Sequence, residues 1–228
     1  MKLSIIIPCY NEKHNLKEIV EAVKASNIPD KEIILVDDAS TDGTFEFINN
    51  EIRPMVDQVI FHSVNMGKGA AIKSALPHIS GDLVIIQDAD LEYNPSEYPK
   101  LIAPIINDEA DVVYGSRFLG RDTNSKGDFQ FYRGNRFLTW LSNIVNGLKL
   151  TDMETCYKVL RSDVIRKFEI RERRFGVEPE ITTKLARMKV RFSEVAISYK
   201  ARTHAEGKKI NWIDGLRAVY CIFRYRFF

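Results

Sequence analysis

Hydrophobic residues along this chain gather in short blocks separated by longer mixed stretches. Five apolar runs stand out: Leu3–Pro8, Glu32–Asp37, Val56–His62, Leu83–Gln87 and Asp111–Ser116. Several are rich in Ile and Val and do not alternate with polar residues, which predicts strands buried on both faces of a parallel sheet. Between them, Asn15–Ser26, Thr41–Arg53, Lys68–Leu76 and Pro95–Asn107 carry apolar residues at helical spacing. Leu16, Ile19, Val20 and Val23, for example, fall on one stripe. Thr41 or Asp42 is placed to cap the second helix, and Pro95 suits the first turn of the fourth. Strands alternating with helices predict an α/β fold: a mostly parallel open sheet flanked by helices.

The pattern changes after Ser116. Residues 117–130 are polar and contain glycine, and read as a loop. A helix is predicted over Phe131–Leu148, shorter helices over 162–168 and 178–188, and a strand over Phe192–Tyr199. The last segment, Trp212–Phe228, is aromatic and basic and predicts a C-terminal amphipathic helix. The expected organisation is an α/β half over 1–116, a second half of the same domain over 117–211, and the helix over 212–228.

Charge sharpens this division. Residues 1–114 hold 9 Lys/Arg against 19 Asp/Glu, and residues 115–228 hold 24 against 12. An acidic half suits a metal ion and a basic half suits phosphates or a lipid surface. With 45% hydrophobic and 28% charged residues the chain reads as an ordinary globular protein. Cys9, Cys156 and Cys221 match no zinc spacing and read as reduced thiols of a cytosolic protein. Leu3–Cys9 is too short for a signal sequence, and no run approaches the roughly 18 apolar residues of a membrane span.

The polar clusters follow the strands one by one. Tyr10-Asn11-Glu12 follows the first, Asp37-Asp38 ends the second, and Asn65-Met66-Gly67-Lys68-Gly69 follows the third. Asp88-Ala89-Asp90 follows the fourth and Arg117 the fifth. In an open parallel sheet the carboxyl ends of the strands share one edge, where ligands bind. Two carboxylates as close as Asp88 and Asp90 repel unless a cation or hydrogen bonds neutralise them. A hard divalent ion completed by diphosphate oxygens does this; a solvated acidic turn is the alternative. Asp37 or Asp38 can accept from a nucleotide base, or can merely cap the turn through Ser40 and Thr41. Gly67-Lys68-Gly69 allows close backbone approach and offers Lys68 to a phosphate. Neither a dinucleotide fingerprint nor a Walker loop is present. Arg117, Arg133 and Arg202 are suited to bidentate phosphate binding, or equally to surface ion pairs.

Together these segments resemble the family 2 glycosyltransferases of the GT-A fold, and most nearly the dolichol-phosphate mannose and glucose synthases and their bacterial relatives. The resemblance rests on Ile-Ile-Pro-Cys-Tyr-Asn-Glu (6–12), Val-Asp-Asp-Ala-Ser-Thr-Asp-Gly-Thr (36–44), Asn65–Gly69, Gln-Asp-Ala-Asp-Leu-Glu-Tyr (87–93) and Gly-Ser-Arg-Phe (115–118). Thr151–Lys158 and Arg202–Ile210 resemble the polyprenyl-phosphate branch.

The resemblance implies a nucleotide-sugar pocket lined by Pro8, Tyr10, Glu12, Asp37, Asp38, Lys68, Asp88, Ala89 and Asp90. It implies Mg or Mn on Asp88 and Asp90, with Glu92 as a further ligand, and acceptor phosphate on Arg117, Arg133 and Arg202. Asp152 matches an acidic position sometimes proposed as a base. The expected activity is inverting transfer of a hexose from a nucleotide diphosphate sugar, GDP-mannose or UDP-glucose in type, to a polyprenyl or dolichyl phosphate. Catalysis would rest on Asp90, Asp88, Arg117 and Asp152. A phosphate acceptor is already ionised, so Asp152 can serve equally by orienting a cation.

Many members of the branch continue into membrane spans; this sequence predicts peripheral association with the cytosolic face through Trp212–Phe228 instead. No nucleic-acid partner is expected, and the oligomeric state is left open. Two alternatives remain: transfer to a saccharide hydroxyl, which needs a base, and a membrane-associated scaffold that has lost catalysis. Nucleotidylyl transfer calls for a glycine-rich loop after the first strand, where Pro8–Glu12 stands.

Overall fold

The computed structural model describes residues 1–119, 129–201 and 212–228, apart from the side chains of 129–131. Seven strands form one sheet in the order β3-β2-β1-β4-β6-β5-β7. They are β1 (Leu3–Cys9), β2 (Lys31–Asp37), β3 (Gln58–Phe61), β4 (Leu83–Ile86), β5 (Val112–Ser116), β6 (Lys158–Arg161) and β7 (Phe192–Ala196). β3, β2, β1 and β4 run parallel, as do β5 and β7. β6 runs antiparallel to both β4 and β5. The mostly parallel α/β sheet read from the sequence is therefore present, with one reversed strand that the apolar pattern did not predict.

The parallel strands form because their residues suit burial on both faces. Ile5, Ile6 and Ile7 of β1, Leu35 and Val36 of β2, and Val84 to Ile86 of β4 are fully buried. α1 (Leu16–Ala25) covers the sheet with the predicted stripe of Leu16, Ile19, Val20 and Val23. The second predicted helix starts as α2 (Thr44–Phe47), widens into a π turn over Ile48–Ile52 and closes as a 3₁₀ turn over Arg53–Met55. The N-cap residue is Gly43, at φ +88° and with no side-chain cap, in place of the expected Thr41 or Asp42; Asp42 Oδ1 braces the turn just before it, accepting from the Thr44 amide (3.0 Å) and hydroxyl (2.5 Å). α3 (Lys68–Ala75) and α4 (Tyr98–Ile106) complete the first half. In the second half come α5 (Phe129–Asn146), α6 (Ser162–Ile165), α7 (Val177–Arg187) and α8 (Trp212–Phe227).

β6 matters for the site. Its Lys158 end lies beside the carboxyl ends of β4 and β5, because the strand is reversed. The segment leading into it, which carries Asp152 and Glu154, is thereby delivered to the same edge as Asp37, Asp90 and Arg117.

α8 packs one face and bares the other. Ala218 and Ile222 join Leu138 of α5 and Met153 in a second, smaller core. Trp212, Ile213, Leu216, Tyr220, Phe223 and Phe227 are exposed. Phe137, Trp140 and Ile144 of α5 are exposed as well. Among the described residues no helix is long and apolar enough to cross a membrane.

Candidate active site

The loops after β1, β2 and β3 are laced together by polar groups. The Asn11 amide donates to Ser40 Oγ (2.8 Å) and Asn11 Oδ1 accepts from the Thr41 amide (2.8 Å). Asp37 is buried and accepts from Ser40 Oγ at 2.5 Å. Burial raises its pKa against that bond. Asp38, also buried, accepts from the amides of Met66 (2.8 Å) and Gly67 (2.6 Å) and lies 2.7 Å from His62 Nδ1. Both carboxylates thus shape the loops, and Asp38 holds the 65–67 turn in place. Glu12 is buried and receives the Asn15 side chain at 2.9 Å. Pro8 and Tyr10 are half-buried on the same side.

After β4 the chain turns sharply. Gln87 is fully buried, and its Oε1 accepts from Tyr98 and Tyr157, each at 2.7 Å. Its amide nitrogen donates to the Asp88 carbonyl (3.0 Å), which fixes the start of the acidic turn. Ala89 is buried and Asp90 nearly so; Asp90 Oδ1 accepts from the Glu92 amide (3.1 Å). Glu92 receives the Tyr199 hydroxyl at 3.1 Å.

Lys68 does not stand free for a phosphate. Its Nζ lies 2.8 Å from Asp88 Oδ1 and 3.0 Å from Glu178 Oε1. Burial alone would lower its pKa, but Asp88, Cys156 and Glu178 outweigh burial and hold it well above the ordinary value. Glu178 also meets the fully buried Lys158 at 2.5 Å. Lys158 in turn donates to the Thr155 carbonyl.

Arg117 and Asp152 form a buried bidentate pair, Nε to Oδ2 at 2.7 Å and Nη2 to Oδ1 at 2.8 Å. The Arg117 amide donates to the same carboxylate at 3.0 Å. Burial disfavours the guanidinium charge, yet Asp152 overcomes this and raises its pKa. The Arg117 guanidinium also lies 5.1 Å from the centre of the Tyr199 ring. Tyr199 therefore joins the Glu92 side of the site to the Arg117 side. Asp152 is itself positioned by Glu194, which accepts from the amides of Thr151 and Asp152 (2.8 and 3.1 Å).

The structure thus brings Asp37, Asp38, Lys68, Asp88, Asp90, Glu92, Arg117 and Asp152 to one edge of the sheet. Arg133 lies on α5, while Arg202 falls outside the described residues, as does most of the predicted 117–130 loop. A cavity of about 310 Å³ lies elsewhere, lined by Phe168, Lys184, Arg187 and Tyr225 among others, and none of the candidate residues borders it.

Sequence reading did not single out Glu178, Glu154 or Glu194. Glu154 Oε1 is shut away without a hydrogen-bond partner, and burial, with Lys158 opposing and Glu178 assisting, pushes its pKa up to about 7. The only signal was their position, Glu154 inside the Thr151–Lys158 motif and Glu178 at a helix start; acids there are indistinguishable from surface acids by pattern.

The carboxylates after β4 suit a hard divalent ion. Among the described residues no three His, Cys, Asp or Glu side chains cluster tightly enough to cage one alone. One or two carboxylates, with the rest of the shell from diphosphate oxygens and water, is the arrangement such chemistry favours.

Comparison with known proteins places the chain in a family. The chain is 30% identical over 212 residues to the undecaprenyl-phosphate 4-deoxy-4-formamido-L-arabinose transferase of Edwardsiella ictaluri, covering 90% of this chain and 62% of that protein. It is 29% identical over 234 residues to the dolichol-phosphate mannosyltransferase of Pyrococcus furiosus, covering 99% and 64%. The chain thus spans under two thirds of the length of these relatives. Its fold superposes on glucosyl-3-phosphoglycerate synthase from Mycobacterium tuberculosis, solved with Mn²⁺, UDP and glucosyl-3-phosphoglycerate. There the TM-score is 0.74, with 17% identity, over 98% of this chain and 79% of that one. The profile of glycosyl transferase family 2 matches residues 4–168, and the chain belongs to that family.

Proposed function

We propose that the chain is an inverting hexosyltransferase that moves a sugar from a nucleotide diphosphate sugar to a polyprenyl phosphate at the cytosolic face of a membrane. Residues 1–116 hold the donor and 117–211 the acceptor. The observation that carries the acceptor class is the Arg117–Asp152 pair. Asp152 accepts three hydrogen bonds from Arg117 and is fully buried, so its carboxylate is committed to orienting the guanidinium. A phosphate acceptor needs no base, since it arrives ionised. The names of the relatives, undecaprenyl-phosphate and dolichol-phosphate transferases, support the same class.

Asp90, with Asp88 and Glu92, would hold Mg²⁺ or Mn²⁺, which when bound neutralises charge building on the departing diphosphate. Arg117 orients the incoming phosphate, with Arg133 and Arg202 as further contacts, largely a positioning effect. The exposed aromatic stripe of α8 and its neighbour on α5, interleaved with Arg217, Arg224 and Arg226, suit a membrane interface.

A second reading is favoured by Glu154. A carboxyl with a pKa near 7 at this edge suits a general base, as transfer to a saccharide hydroxyl requires. Transfer from a panel of radiolabelled UDP- and GDP-sugars into polyprenyl phosphate, with Mn²⁺, tests the two. Phosphate transfer predicts a butanol-extractable product that Asp90→Ala reduces at least ~1000-fold, and that Glu154→Gln leaves within a few-fold. A product formed only on saccharide acceptors and lost in Glu154→Gln would establish the second reading.

A further inference from the structure

Lys68, the side chain expected at the donor's phosphates, is already matched: it lies between Asp88 and Glu178. A doubly charged leaving group beside Asp88 and Asp90 calls for another cation, and the 171–174 segment before α7 supplies one. Gly67, at φ +92°, has no room for a side chain: a Cβ there would meet the Arg173 carbonyl at 2.5 Å and Arg174 Cγ at 2.8 Å. The stem of Arg174 therefore lies directly on the turn whose amide is held by Asp38 and whose next residue is Lys68.

The segment beneath these arginines is fixed. The Ala70 amide donates to the Arg173 carbonyl (3.1 Å). Glu180 accepts from the amides of Arg171 (2.8 Å) and Glu172 (2.7 Å). Glu172 is clamped by Arg217 and by the Tyr225 hydroxyl. Yet the two side chains are exposed. Among the described residues neither has a carboxylate partner, whereas their neighbour Arg171 faces Glu169 at 3.7 Å.

We propose that Arg173 and Arg174 are phosphate-binding residues for the donor's diphosphate, held by a rigid turn over the Gly67–Lys68 corner. Guanidinium groups on a fixed backbone match phosphate oxygens in pairs and lose little freedom on binding. The inference rests on the proposed nucleotide-sugar chemistry.

Calorimetric titration of the full chain with UDP and with GDP, each with Mn²⁺, tests it. For whichever nucleotide the wild type binds, Arg174→Ala should weaken the affinity about tenfold and the double variant Arg173→Ala/Arg174→Ala by more. Binding of the corresponding nucleoside should change less than twofold, which a general distortion of the pocket would not spare. Arg171→Ala should stay within twofold, and melting temperatures should match the wild type. Unchanged diphosphate affinity in the double variant overturns the proposal. Unchanged affinity with a raised KM for polyprenyl phosphate also overturns it, and moves the pair to the acceptor. A wild type that binds neither UDP nor GDP removes the donor reading itself, and this inference with it.

Discussion

The two sides of the sheet are built on different physics. On the β3-β2-β1-β4 side the strands run parallel, and the Ile, Val and Leu residues of β2, β1 and β4 are buried on both faces. The acids at their ends are neutralised by backbone amides and hydroxyls of adjoining loops, as Asp38 is by Met66 and Gly67. On the β6-β5-β7 side, charged residues enter the interior and pair with one another: Arg117 with Asp152, Lys158 with Glu178. Hydrogen-bonded acids survive loss of one partner, while a buried ion pair broken on one side leaves a lone charge in a poor dielectric. The comparison teaches that the β3-β2-β1-β4 side rests on several hydrogen bonds per acid, while the β6-β5-β7 side depends on a few buried ion pairs.

The largest expected effect breaks that contrast where it is sharpest. Arg117→Ala leaves the Asp152 carboxylate buried and unpaired, at a cost of about 3–5 kcal/mol. In a chain of this size that lowers the melting temperature by about 10 °C. Arg117→Met combined with Asp152→Leu should recover most of the loss. Equal melting points for wild type and the single variant would show that the pair is solvated.

Gly69→Ala comes next. A Cβ at Gly69 would lie 2.1 Å from the Glu172 carbonyl, where backbone meets backbone and neither side yields easily. Forcing them apart costs about 1–3 kcal/mol and lifts the 172–174 turn away from Lys68. Chemical denaturation should show the loss; an unchanged midpoint would mean that the two halves are not in rigid contact there.

The smallest effect concerns Glu154. Its pKa in the folded chain, about 7, lies above its ordinary value of 4.5, so folding favours the neutral acid. The favourable term is complete below about pH 4.5 and is lost as the pH rises through 7. Glu154→Gln lacks this titration. The melting temperature of the variant minus that of the wild type should therefore climb between pH 4.5 and 7 and then level off. The climb corresponds to of order 1 kcal/mol for a half-buried group. A difference constant with pH would place Glu154 in solvent.

The same contrast explains what could be read from the sequence. β1, β2 and β4 announce themselves as unbroken apolar runs, and α1 by its four-residue stripe, because burial against the sheet needs only hydrophobic side chains at the right spacing. The convergence of Asp38, Asp90 and Arg117 on one edge followed from strand direction alone. β6 was not legible: Lys-Val-Leu-Arg is short and begins with a charge, and Lys158 can be buried only because Glu178 waits 20 residues away. The second helix was legible in extent but not in kind, since its π turn leaves the apolar spacing nearly unchanged. Lys68 was read as a phosphate ligand because its partners Asp88 and Glu178 lie at no fixed sequence offset. Arg173 and Arg174 carried no signal for the converse reason: nothing local shows that Gly67 lies beneath them.

The central claim is that these groups surround one cation–diphosphate centre at the carboxyl edge. A crystal structure with UDP or GDP and Mg²⁺ tests it most directly. The account predicts the ion at about 2.1 Å from an Asp90 oxygen, with the diphosphate between Asp88 and the Gly67–Lys68 turn. A diphosphate bound instead in the basic cavity between α7 and α8, with no ion at Asp90, would contradict it.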